Sequence, residues 1–115
     1  MGSLQGRKPA DNTDKMDLSS RDYIFPDSNS RYLTDEDLSG YSSDQLELAK
    51  NEIYARHGRK FVTQRIADYF NSKSWYKGTV EPETFDADTS VFNEYEVANI
   101  QKIADTEGKL RSEGK

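Results

Sequence analysis

Apolar residues are scarce from Met1 to Ser20, gather at Tyr23-Ile24-Phe25-Pro26, and then recur at helical spacing through the rest of the chain. The opening stretch mixes Gly, Ser, Asp, Asn and Lys, a composition too poor in apolar surface to offset the entropy of ordering, so 1–22 reads as a disordered tail. Its first six residues resemble residual cloning sequence. The cluster at Tyr23–Pro26, followed by the polar run Asp27-Ser28-Asn29-Ser30, predicts an extended strap packed on a domain. Thr34 followed by Asp35, Glu36 and Asp37 places an N-cap residue and carboxylates at a helix start, and Gly40 ends that helix after about one turn.

The main helix is predicted over Asp44–His57, started by Ser42 or Ser43, with Ser42 to Gln45 at capping-box spacing, and stopped by Gly58. At about 100° per residue, Leu46, Ala49, Ile53 and His57 share one face. Tyr54 and Arg56 flank that face, while Glu47, Asn51 and Glu52 are expected elsewhere. Arg59-Lys60-Phe61-Val62 forms an extended link, and Thr63 caps a second helix through Ile66, Tyr69 and Phe70. Ser74-Trp75-Tyr76 begins an aromatic-rich exit, and Lys77 to Ser90 reads as a loop around Pro82 and Phe85. Phe92, Tyr95, Ile100 and Ile103 give the period of a last helix ending near Ala104. The segment 107–115 is expected to fray.

These elements describe an all-α fold, a small single domain over 23–106 of three main helices plus a short leading one. Its core is expected to rest on Tyr54, Phe61, Tyr69, Phe70, Trp75 and Phe92. With 115 residues, about a third of them apolar, the chain has room for one small core and no second domain. No run approaches the roughly eighteen apolar residues a membrane span needs, and no charged-then-apolar leader precedes the domain. The expectation is a soluble piece without membrane insertion, as an excised ectodomain would be. The chain has no cysteine, which removes disulfides and thiolate chemistry.

His57 is the single histidine, open to reading as a general base or metal ligand. Its place in the last helical turn, on the apolar face, favours a packed ring that interacts with the helix C-terminus. The Arg56 guanidinium could hold a ligand carboxylate or phosphate. The preferred reading is an internal ion pair, with Asp68, Glu94 or Glu96 as partner. No serine sits in a nucleophile elbow, and no glycine loop of phosphate-cradling type is present. Asp27-x-Asn29-x-Arg31 and Asp86-x-Asp88-x-Ser90 begin like calcium loops. Tyr32 and Val91 replace the glycine such loops need, and Leu38 and Val97 replace the closing glutamate. Neither a catalytic site nor a cofactor is expected.

Charge is unevenly laid out. Lys50, Arg56, Arg59, Lys60, Arg65, Lys73 and Lys77 stand against Glu52 and Asp68, so seven basic and two acidic residues leave +5 in a chain of net −5. From Glu81 to Glu96 there are six carboxylates and no base. The plain reading is that the final loop and helix pack across the basic middle and neutralise it. The functional reading is an exposed patch of Arg56, Arg59, Lys60, Arg65 and Lys77 interleaved with Phe61, Trp75 and Tyr76. Such a patch suits sugar rings or an anionic polymer. A chain of net negative charge lacks the basic footprint that nucleic acid requires.

The run Leu48-Ala49-Lys50-Asn51-Glu52-Ile53-Tyr54-Ala55-Arg56-His57-Gly58-Arg59-Lys60-Phe61 carries the five letters for which the YARHG domain family is named. The chain resembles that family also in Asp37-Leu38-Ser39-Gly40 ahead of the run, in Tyr69-Phe70 and Trp75-Tyr76 behind it, and in Phe92-Asn93-Glu94-Tyr95-Glu96 with Asn99-Ile100 near the end. Lys50 stands where the family pattern leads one to expect Arg, and Phe92 where it leads one to expect Leu. The resemblance implies a small extracellular accessory domain of bacteria, without an established activity, on a secreted or surface-anchored parent. Asn51, Tyr54, Ala55, Arg56, His57 and Gly58 are then motif positions, read first as packing, polar satisfaction and a left-handed helix stop. The leading functional expectation is a non-catalytic binding module for anionic cell-wall polymer or carbohydrate, through Arg56, Arg59, Lys60, Arg65, Trp75 and Tyr76. A structural or protein-interaction spacer, contacting other domains of the parent, is the alternative. A hydrolase using His57 is a distant third.

Overall fold

The computed structural model describes residues 21–114, so the tail expected over the first twenty positions lies outside the described residues. Five helices follow one another: α1 (Asp35–Leu38), α2 (Ser43–Ala55), α3 (Gln64–Asn71), α4 (Pro82–Ala87) and α5 (Glu94–Ser112). The fold is all-α as the periodicity predicts. The described residues hold no strand, only an isolated parallel bridge between Arg59 and Val80.

Three helix starts are closed by reciprocal capping boxes, Thr34 with Asp37, Ser42 with Gln45, and Asn93 with Glu96. Each satisfies two backbone N–H groups that would otherwise lack partners. Thr63 precedes α3 but makes no side-chain cap bond. α2 ends at Ala55, two residues before the expected His57, and the chain turns through Arg56 and His57 to Gly58 at φ +89°. A Cβ on Gly58 would stand 2.6 Å from the Thr79 hydroxyl oxygen, so only glycine fits this turn.

α2 packs chiefly along α5. Leu46, Ala49 and Ile53 of α2 join Ile103 of α5 and Ile24, Phe25, Leu33 and Leu38 from the N-terminal side in one buried cluster. Ala55, Ile66 and Phe70 form a second, flanked by half-buried Phe61, Trp75 and Tyr76. The core is therefore largely aliphatic. Of the six aromatic residues expected to build it, Phe70 alone is fully buried: Phe61, Tyr69, Trp75 and Phe92 are half-buried at the rims of the two clusters, and half-buried Tyr54 packs on Phe85 and Phe92.

Other expectations need correction. Glu52, assigned away from the core, is fully buried: its two oxygens accept the Ile24 and Phe25 N–H groups at 2.7 and 3.1 Å. Arg21, ahead of the strap, donates to the Tyr41 hydroxyl, and its own carbonyl accepts from Lys73. Where a loop was expected, Pro82 at the first turn and buried Phe85 make the short α4. The last helix does not stop near Ala104 but runs to Ser112. Buried Glu107 accepts from Lys50 at 3.0 Å and from Arg111, and Leu110 packs on the main cluster. No helix among the described residues is long and apolar enough to cross a membrane.

Candidate functional site

The motif residues lie on the last turns of α2 and the turn after it, where the strap, the α3 region and the start of α5 meet. His57 Nε2 is 2.8 Å from Glu96 Oε2, and its ring meets Phe92 edge-on at 5.2 Å. The other Glu96 oxygen accepts the Asn93 N–H, so one buried carboxylate serves both the capping box of α5 and the motif histidine. The geometry therefore joins the end of α2 to the start of α5.

Arg56 finds none of the three acids expected for it. Its guanidinium donates to the Phe25 and Pro26 carbonyls and lies 4.4 Å from the centre of the Tyr23 ring. Trp75 stacks on the same Tyr23 at 4.8 Å and donates its indole N–H to the Asp22 carbonyl. With Lys73 on the Arg21 carbonyl and Glu52 on the next two N–H groups, these side chains clamp the strap over its whole length. Two residues expected to hold a ligand thus hold the chain itself.

The remaining expected ligand residues fall into two places. Arg59 forks onto Asp86 with bonds of 3.0 and 2.9 Å, and the same bonds hold Asp86 below the usual carboxylate range. Lys60 pairs with Glu81 at 2.6 Å, and the Tyr76 hydroxyl donates to the Arg59 carbonyl. Arg65 sits apart on α3, paired with Glu47 of α2. The plain reading of the charge layout holds in part: Glu81 and Asp86 of the acidic segment lie on Lys60 and Arg59, and Glu96 on His57, while Lys50 and Arg65 pair with Glu107 and Glu47 outside that segment.

Beside this turn runs a groove of about 320 Å³ between the outer face of α2 and the link into α3. Glu47, Lys50, Asn51 and Tyr54 form one wall, and Arg59 and Phe61 contribute to the other. Asn51 spends one amide N–H on the Glu47 carbonyl. Its side-chain oxygen and the Tyr54 hydroxyl have no hydrogen-bond partner among the described residues. Tyr54 is held from behind by Phe85 and Phe92, at 6.0 and 5.4 Å between ring centres. A depression of about 400 Å³ between α1 and the end of α5 sets Leu38, Tyr41 and Leu110 beside the polar side chains of Asp35, Thr106, Lys109 and Glu113.

Among the described residues no three His, Cys, Asp or Glu side chains converge as a metal site requires. Asp27 and Asp86 of the two calcium-like stretches are paired with Arg31 and Arg59. Sequence reasoning missed the parts played by Glu52 and Asn99. Buried Asn99 accepts the Leu33 N–H and donates to the Ser28 and Arg31 carbonyls, fixing the turn after the strap. A signal existed for Glu52, which projects between Ala49 and Leu48, and Leu48 also packs on the main cluster.

Comparison with curated proteins and with solved structures finds no match. The family model described as the YARHG domain matches residues 21–108, from the first strap contact to the residue after buried Glu107. That span covers most of the chain, including the clamped strap, the motif turn and the α2–α5 core, and the chain belongs to the YARHG domain family.

Proposed function

We propose that this chain is a non-catalytic extracellular accessory module of a bacterial surface or secreted protein, and that it binds cell-wall polymer or carbohydrate. The observation that supports this reading is the groove beside the motif turn. There, the half-buried rings of Tyr54 and Phe61 stand next to an amide oxygen and a hydroxyl not engaged within the fold. Such a mixture of aromatic surface and a few placed polar groups is what small-ligand sites present. Cosedimentation of the purified domain with intact bacterial cell wall, with wall stripped of anionic polymer, and with the free polymer tests it. Saturable retention on at least one fraction is expected, and retention on none contradicts it.

A second reading, a structural or protein-interaction spacer between domains of the parent, has its own support. Arg59, Lys60 and Arg65 are each paired internally, and Arg56 and Trp75 hold the strap. This reading predicts no wall retention, with a concentration-dependent mass in sedimentation velocity.

A further inference from the structure

Within the wall-binding reading just given, on which this inference rests, we propose that the groove walled by Asn51, Tyr54, Arg59 and Phe61 is the ligand site. Its occupant is a neutral saccharide of one or two rings rather than an anionic polymer. The size is suitable, since about 320 Å³ lies at the small end of ligand pockets. Charge decides between the two ligand classes. Lys50 is committed to Glu107, Arg59 to Asp86 through two bonds, and Glu47 to Arg65 and Arg111. A phosphate entering the groove has to displace Asp86 from a bidentate fork before it gains the guanidinium. A sugar hydroxyl asks for no such exchange.

The unspent polar groups match a hydroxylated ligand. The Asn51 side-chain oxygen accepts, and the Tyr54 hydroxyl both donates and accepts, as sugar hydroxyls also do. Asn51 is oriented by its bond to the Glu47 carbonyl, and Tyr54 is braced by Phe85 and Phe92, so both are pre-placed. The Arg59 guanidinium lies over both the Tyr54 and the Phe61 rings, at 5.9 and 5.4 Å from their centres, so a sugar entering the groove meets ring edges and the guanidinium rather than open ring faces.

The test is a titration of ¹⁵N-labelled domain with two neutral trisaccharides, triacetylchitotriose and maltotriose, and separately with inorganic polyphosphate. Saturable amide shifts confined to residues 47–66 with at least one trisaccharide are expected, at millimolar affinity or better. Tyr54→Phe removes only a hydroxyl that no described residue engages, so it should keep the melting temperature while weakening binding about fivefold or more. Asn51→Ala, which removes the accepting oxygen at the same wall, should weaken it likewise. Absence of saturation by both trisaccharides up to about 20 mM overturns the inference, as do shifts mapping elsewhere or saturation of the groove by polyphosphate alone. Wall retention without trisaccharide binding would remove this site and ligand while leaving the module reading in place. Trisaccharide binding without wall retention would do the reverse.

Discussion

Glu52 is a buried carboxylate set against two backbone N–H groups of the strap, and burial raises its pKa despite those bonds and the nearby charges of Arg56 and Arg21. The folded chain thus holds the Glu52 proton more tightly than the unfolded chain. The stability this contributes is complete below about pH 4.3 and is lost as pH rises through the raised folded value. The stability of the native domain relative to Glu52→Gln should therefore decline as pH rises across that window. Urea midpoints of both proteins at several pH values measure it, and a gap that stays flat or widens with pH contradicts the assignment. Glu52→Ala goes further and leaves both N–H groups without an acceptor, a loss of about 1–3 kcal/mol for each. Gly58 makes a simpler case. Its φ of +89° and the nearby Thr79 hydroxyl predict that Gly58→Ala costs about 1–2 kcal/mol or more, read from a urea melt.

At the scale of elements, helix starts were legible because capping is local chemistry. Thr34 and Ser42 act where their spacing placed them, and Gly58 takes the left-handed turn expected of it. Helix ends were less legible where tertiary contacts decide them. Nothing near Ala104 announces that α5 continues, since the reasons lie on α2: Lys50 waits for Glu107, and Glu47 and Asp44 for Arg111. Removing the chain after Thr106 should lower the melting temperature by about 5 °C or more, through loss of Leu110 packing and the Lys50–Glu107 pair. An unchanged melt would mean that those last turns add nothing. The start of α5 offers a second test. Asn93→Ala deletes the cap and should cost about 1 kcal/mol by denaturant titration, and it should also loosen Glu96, the partner of His57.

The whole molecule resolves the charge asymmetry that single residues could not. Arg59 and Lys60 of the +5 middle pair with Asp86 and Glu81 of the acid-rich segment, whereas Lys50 and Arg65 pair with Glu107 and Glu47. Arg59 illustrates why the candidate site was only half visible. Residue type and aromatic neighbours suggested a ligand contact, whereas the partner Asp86 lies 27 positions away in a segment read as loop. Asn51 and Tyr54 were visible as motif positions, but their role as groove walls depends on how the link after Gly58 folds back beside α2. The direct check on this account is the salt dependence of binding to cell wall, from about 0.05 M to about 0.5 M. Recognition through a neutralised groove predicts an affinity that changes less than about threefold over that range. A steep, more than tenfold loss would show that exposed cations carry the binding and would contradict the internal role given to Arg59, Lys60 and Arg65.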